Sequence, residues 1–257
     1  MKLILSTLGL TAVTSLISTI LFADETVSSS PHQVSGNIGV VSEYIFRGNT
    51  ASPENDNAAV QGGLEYSHAS GLYAGYWGST LGYSLTKKDE LTGKYEGSKA
   101  FENDFYLGYK GQVTEDFGYN IGATYYYYYQ SDADNDTTET LIGVSYKDFS
   151  FTTQTLLGDV EWGNKGDTYL LASYSYELPK DFTLNTALGA YYYRDKGKYE
   201  SDLKTDKSFA FRQFTVGLSH PLGDTGATVS MDYIIGGKLR TDESLKNKVI
   251  FGLKYDF

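Results

Sequence analysis

Few residues in this chain are of the types that do covalent chemistry, and their spacing works against it. The 3 histidines are His32, His68 and His220. A hydrolytic site needs a base within hydrogen-bond reach of the group it activates. His32, however, lies in a polar leader, His68 enters a short turn and His220 precedes another. Ser67 and His68 are sequence neighbours, so on an extended segment they project to opposite faces and cannot form a dyad. The absence of Cys removes disulfides, thiolate metal ligands and cysteine nucleophiles together. Asp132-Ala133-Asp134-Asn135-Asp136 opens like a calcium loop, in which alternating oxygens surround a hard cation. Thr137 stands where that loop needs Gly, and Gly143 where it needs a bidentate Glu. The segment reads as a solvated acidic loop, with weak divalent binding beside lipopolysaccharide left open. Neither an enzyme nor a metal or cofactor protein is expected.

What remains is charge and hydroxyl chemistry spread along the chain: Glu43, Arg47, Glu65, Glu102, Asp104, Glu139, Asp167 and Asp232, with Tyr126 and Tyr128. Such groups filter ions and polar solutes when they line a common water-filled path. The elements that bring them to one path are strands. In Val249–Phe257, Val249, Phe251, Leu253, Tyr255 and Phe257 share one face, while Ile250, Gly252, Lys254 and Asp256 share the other, because side chains alternate with a period of two. Phe251, Leu253, Tyr255 and the terminal Phe257 resemble the assembly signal of bacterial outer-membrane barrels. The edge strand of a soluble β-sandwich is the alternative for these residues alone.

The same alternation recurs at Val34–Arg47, Ala58–Ser67, Leu72–Thr80, Phe101–Lys110, Phe117–Gln130, Thr138–Lys147, Phe149–Gly158, Thr168–Leu178, Phe182–Tyr193, Phe209–Ser219 and Ala227–Ile235. With the closing segment this predicts about twelve antiparallel strands. The connections also alternate. Segments 48–57, 82–100, 131–137, 159–166, 194–207 and 236–247 are mostly longer and charged, and those between them are tight turns. Long extracellular loops opposite short periplasmic turns, with an even strand count, are the pattern of an outer-membrane barrel.

Charge parity supports it. With the apolar parity of each strand taken as outward, Arg212 is the one outward charge, placed near the extracellular end where a long side chain can snorkel. The opposite parity carries the carboxylates and cations named above together with Lys110, Lys147, Glu177, Lys248, Lys254 and Asp256. A charge on the lipid face costs about 2–4 kcal/mol at the bilayer midplane. A soluble sandwich would bury its apolar face between sheets and has no reason to turn rings of tyrosine outward.

Composition agrees. The 257 residues include 24 Tyr and 13 Phe but only 4 Pro, and a mean hydropathy of −0.34 is too low for a bundle of membrane helices. Met1–Ala23 reads as a signal peptide, with Lys2 before an apolar run and small Ala23 before Asp24; an uncleaved anchor is the alternative. Asp24–Gln33 reads as a periplasmic leader and 34–257 as a monomeric transmembrane antiparallel up-and-down β-barrel. Removing Lys2 takes the formal charge from −11 to −11 − 1 = −12, which argues against nucleic acid as a partner.

Ser35–Gly48 (S-G-N-I-G-V-V-S-E-Y-I-F-R-G), Ala59–Tyr66 (A-V-Q-G-G-L-E-Y) and Ser67–Ser79 (S-H-A-S-G-L-Y-A-G-Y-W-G-S) resemble the opening of the TorF family of porin-like proteins. The core is V-S-x-Y-x-F-R-G at Val41–Gly48, with Glu43 where that family commonly carries Asp. The resemblance implies a porin-like protein of the Gram-negative outer membrane and supplies no substrate and no functional residues.

The expectation is therefore a passive diffusion channel for ions and small hydrophilic solutes. Its partners are outer-membrane lipid, lipopolysaccharide and the outer-membrane assembly machinery. Strands about 4.8 Å apart and tilted about 40° give twelve of them a backbone diameter of roughly 25 Å. At the extracellular mouth Glu43, Glu102, Asp104, Glu139, Asp167 and Asp232 face Arg47 and Lys248, or 2 − 6 = −4, which predicts weak cation preference. Loop lysines Lys87, Lys88, Lys196 and Lys198 folding inward would neutralise it. The alternative class is a structural or adhesive barrel that does not conduct, its lumen plugged by loops 82–100 and 194–207.

Overall fold

The computed structural model describes residues 30–50, 57–81, 101–129 and 134–257. Met1–Ala23, expected from sequence to be a signal peptide, most of the 24–33 stretch, the 82–100 segment with Lys87 and Lys88, and the first residues of the calcium-like segment lie outside them.

The described residues form twelve strands: β1 (His32–Val41), β2 (Ala59–His68), β3 (Leu72–Thr80), β4 (Phe101–Gln112), β5 (Phe117–Tyr129), β6 (Thr137–Tyr146), β7 (Phe149–Leu156), β8 (Thr168–Glu177), β9 (Thr183–Tyr192), β10 (Phe209–Pro221), β11 (Ala227–Gly236) and β12 (Lys248–Asp256). Each pairs antiparallel with its sequence neighbours, and β1 pairs with β12, so the sheet closes into a barrel. Closure leaves no sheet edge, the condition for strands to stand in hydrocarbon. Phe257 completes the seam: its N–H donates to the Gly36 carbonyl at 2.9 Å and its carbonyl accepts from the Gly36 N–H at 2.8 Å. At the β2–β3 turn Gly71 has φ +96°, and a Cβ there would strike the Lys110 carbonyl, so only glycine lets β3 start this close to β4.

Apolar side chains cover the outside. Leu107, Phe251, Phe257, Ile121 and Tyr255 are exposed, an arrangement stable only where lipid covers it. Every Asp, Glu, Lys and Arg within the strands has the inward parity, Arg212 included. Arg212 corrects the sequence reading. A β-bulge between Phe211 and Gln213 shifts the register by one residue, so Phe209 and Phe211 point out while Arg212 and Gln213 both point in, at 5% and 0% exposure. A bulge inserts one residue and reverses the parity of everything beyond it. No Gly or Pro marks the position in sequence.

The second correction is at the first strand. Alternation predicts it through Arg47 with Tyr44 and Phe46 on the lipid face, but β1 ends at Val41. The Ser42 N–H still donates to the Phe251 carbonyl at 2.8 Å, and its Oγ accepts from the Phe251 N–H at 3.0 Å. From there the chain leaves the wall and turns into the barrel.

Candidate functional site

Residues 42–50 cross the long-loop half of the lumen. Glu43 pairs with Lys248 at 2.6 Å, and the buried Tyr44 hydroxyl donates to Glu102 at 2.6 Å. The Asn49 N–H then closes a turn on the Phe46 carbonyl at 2.8 Å. The turn is left-handed at Arg47 (φ +49°) and Gly48 (φ +72°). A Cβ on Gly48 would meet the Gln213 side chain, so the Arg-Gly order is set by the need to bring this backbone against β10. Thr50 Oγ1 accepts from the Lys246 N–H at 2.9 Å, tying the far end of the segment to the 237–247 loop.

Arg47 has no exposed surface. Its two terminal nitrogens donate to the two oxygens of Glu139 on β6, the first at 2.8 Å. They also reach the Tyr191 hydroxyl at 2.5 Å and the Tyr126 hydroxyl at 3.2 Å, while Tyr126 itself donates to Glu139 at 2.8 Å. The guanidinium lies 4.7 Å from the Phe46 ring centre and 4.8 Å from that of Tyr169. Its backbone carbonyl accepts from Arg212 Nε at 3.1 Å, and Arg212 donates onward to the Tyr193 hydroxyl at 3.2 Å. A buried ion pair is tolerable only with good geometry and further hydrogen bonds; the bidentate fork, two tyrosine hydroxyls and the aromatic cover supply these, while Arg47 Nε has no partner among the described residues. One residue of the inserted segment is thus fastened to β5, β6, β8, β9 and, through its backbone, β10.

An apolar collar surrounds the insertion: Val41, Tyr44, Ile45, Ala59, Leu81, Ile234 and Ile250, with Phe46, Trp77 and Tyr128 packed against them. Ile234 and Ile250 have the inward parity, and their burial gives the lumen a core of its own. Above it Asp167 pairs with Arg240 at 3.1 Å and accepts from the Arg194 N–H at 2.7 Å and the Asn164 N–H at 2.9 Å. Burial pushes the Asp167 carboxyl up from its usual range, against the pull of these donors. On the outermost loops Lys198 Nζ and the Tyr199 hydroxyl both donate to Asp134. Those bonds hold its carboxyl below the ordinary carboxylate range.

Residues 25–249 match the family model described as "Bacterial protein of unknown function (Gcw_chp)". The chain belongs to that family. No curated protein sequence matches it. Among solved structures, a KdgM porin in complex with disordered oligogalacturonate superposes at TM-score 0.51 and 11% identity, over 87% of this chain and 98% of that one. That likeness supports the fold. Two looser superpositions are Salmonella typhi OmpF with daunomycin (TM-score 0.43, 9% identity, 89% and 98% covered) and Escherichia coli outer-membrane phospholipase A (TM-score 0.42, 14% identity, 87% and 89% covered).

Of the residues singled out in sequence, the structure gathers Arg47, Glu139 and Tyr126 into one network, and Glu102 with Tyr128 and Tyr44 into another. Asp104 is buried beside them on β4, with Oδ1 lacking a hydrogen-bond partner among the described residues. Asp232 is buried on β11, packed over Gly217. Glu65 lies toward the short-turn end and pairs with Lys110 at 3.0 Å. Of the histidines, His32 contacts the Tyr66 hydroxyl at 2.7 Å, His68 contacts Ser70 at 2.8 Å, and His220 lies against Phe182. Arg212, Arg240, Tyr169, Tyr191 and Tyr193 were not anticipated. Adding the two arginines to the mouth changes its sum to 4 − 6 = −2. Among the described residues neutralisation comes from arginines of β10 and the 237–247 loop, and Lys198 is paired with Asp134; Lys87 and Lys88 lie outside the described residues.

Proposed function

We propose that this barrel is a porin-like channel of the Gram-negative outer membrane for passive diffusion of ions and small hydrophilic solutes, held narrow by its own residues 42–50. The observation that carries it is the sorting of the wall. Every charged strand residue faces in and the outer belt is apolar, an arrangement that suits lipid outside and water inside. The reading agrees with the TorF-like motif at Ser35–Ser79 and assigns no enzymatic role. The inserted segment favours low conductance at rest, which brings the plugged-barrel alternative close: the plug is the V-S-E-Y-I-F-R-G motif itself. A mouth charge of −2 supports only slight cation preference.

Conductance in planar bilayers tests this. The wild type should give small unitary steps and, across a KCl gradient, a small reversal potential of cation-selective sign that fades with salt. An anion-selective sign, or one unmoved by Glu102→Gln with Asp104→Asn, would refute the mouth-charge mechanism. Silence from both the wild type and a variant lacking the Arg47 anchor would leave a structural barrel. For assembly, we propose that Phe257, Tyr255, Leu253 and Phe251 form the signal read by the assembly machinery. Deleting Phe257 should abolish insertion and the gel shift between unheated and boiled samples. Normal insertion of the deleted chain would refute it.

A further inference from the structure

A cavity of about 510 Å³ opens at the long-loop rim beside β8 and β9, lined by Asp159, Lys165, Thr168, Tyr192, Arg194 and Lys196. Thr168 and Tyr192 are cross-strand partners of outward parity, so this cavity belongs to the outer face of the barrel and not to the lumen. Directly below them the same outward rows continue as Leu170 and Ala172 on β8 and Ala190 and Leu188 on β9. A cluster of cations thus stands on top of a wall of aliphatic side chains.

The cations are held available. At the same end of the barrel Lys198, Lys204, Lys207 and Lys238 each have a carboxylate within 4.0 Å. Lys165, Arg194 and Lys196 have none among the described residues. The one carboxylate of the lining, Asp159, accepts the Lys165 backbone N–H at 2.7 Å and leaves the side chains to the cavity. The charge of the lining is 3 − 1 = +2. Arg194 is also fixed. Its N–H is bonded to Asp167, and its carbonyl accepts from Asn164 at 2.8 Å and Arg240 at 3.1 Å. Its stem lies on Gly166, where φ is +90° and a Cβ would come 3.1 Å from Cγ. The loops spend buried hydrogen bonds to place an arginine whose guanidinium then meets no carboxylate.

We infer that this rim cavity binds the phosphorylated headgroup of an outer-leaflet glycolipid of the lipid A class. A phosphate accepts two parallel N–H bonds from a planar guanidinium and takes lysines as flanking point charges. The Tyr192 hydroxyl accepts from Arg194 at 3.5 Å and keeps its own proton to donate to the sugar to which the phosphate is attached. Leu170, Ala172, Leu188 and Ala190 suit acyl chains descending from it. A free phosphate would use the upper part of this surface and leave the aliphatic wall uncovered. The inference rests on the outer-membrane reading for one point, that the long-loop end faces the outer leaflet.

The test uses the full-length protein in dodecylmaltoside micelles, titrated calorimetrically with diphosphoryl lipid A, with dephosphorylated lipid A and with inorganic phosphate. Diphosphoryl lipid A should bind best. Lys165→Gln with Lys196→Gln should weaken it about tenfold, Arg194→Gln should weaken it comparably, and Lys165→Arg with Lys196→Arg should keep it. Lys147→Gln with Lys180→Gln, at the opposite end, should change nothing. The gel shift on boiling confirms that each variant is folded. Equal affinity for dephosphorylated lipid A, or an unchanged Lys165/Lys196 variant, overturns the site; inorganic phosphate binding as tightly as the lipid overturns the lipid as its source. Protease accessibility of loop 194–207 on intact cells is read separately. A periplasmic loop would refute the orientation while leaving the binding result standing.

Discussion

The two halves of the lumen are built from the same strands and differ in almost everything else. Toward the short turns the inward positions are mostly polar: Asn37, Glu65, Lys110, Ser173, Ser175 and Lys254 keep partial access to water, beside the buried Tyr73, Asn120, Ser145 and Asn185. Toward the long loops they are Val41, Trp77, Leu141, Leu156, Leu171, Ile234 and Ile250, together with the arginines, carboxylates and tyrosines around Arg47. One half is lined as a vestibule, the other packed as a protein core. A barrel wall needs only its outer face to be apolar, so apolar residues on the inner face at one end have a separate purpose. Val41, Trp77, Ile234 and Ile250 pack with Tyr44, Ile45 and Phe46 of the inserted segment, and Leu171 packs with the tyrosines of β8 and β9 that surround Arg47.

The contrast is sharpest in its ion pairs. Arg47–Glu139 has both partners essentially without exposed surface, whereas Lys110–Glu65 leaves them 22% and 19% exposed. Removing one partner of a buried pair strands the other as an uncompensated charge, at about 3–5 kcal/mol. Arg47→Ala should therefore lower the unfolding free energy measured by denaturant titration by that much, release the inserted segment and raise unitary conductance several-fold. If conductance rose with no loss of stability, the segment would be a weakly held flap; if stability fell with conductance unchanged, the passage would be closed by something other than residues 42–50.

Lys110→Gln makes the same kind of change in the vestibule and should cost about 1 kcal/mol or less, because water screens both partners. The lysine also lies 4.4 Å from the Tyr73 ring centre, a contact whose aliphatic part Gln retains. Bilayer recordings should show unchanged step size with a small shift in selectivity toward cations, since one inward positive charge is lost. A loss of stability matching that of Arg47→Ala would erase the distinction between the halves.

The sequence carried the twelve strands, the alternation of loop lengths and the inward carboxylates, because a period of two is local and repeats. It did not carry the two places where the pattern is broken. Tyr44 and Phe46 continue the alternation of β1, and an apolar side chain facing lipid has the same letter as one packed inside the lumen. Arg212 flips because of a single inserted residue with no composition of its own. A partial signal existed at Ile234 and Ile250, which are apolar on the polar parity and lie near the same end of the barrel. Such residues on an otherwise hydrophilic wall indicate something folded against them. Nothing local identifies what that something is, since Arg47 meets its partner Glu139 across 92 residues of sequence.

The outermost loops provide the mildest perturbation of the packed half. Asp134 accepts from Lys198 and Tyr199, exposed groups joining residues 134–136 to the 194–207 connection. Its carboxyl is held below the ordinary value by these hydrogen bonds. A folded-state pKa lower than the unfolded one means that the clasp contributes above the unfolded value, near pH 4, and is lost as pH falls through the folded value. Between neutral pH and pH 5 hydrogen exchange in 194–207 should be constant once corrected for intrinsic rate. At more acidic pH the loop should exchange faster while β8 and β9 stay protected. Asp134→Asn should show the faster exchange already at neutral pH and abolish the acid step, and the conductance of the barrel should scarcely change, because Arg47 and its partners lie deeper than this clasp. An acid step that survived in the Asn variant would place the titrating group elsewhere, with Asp167 the next to examine since burial raises its carboxyl in the opposite sense.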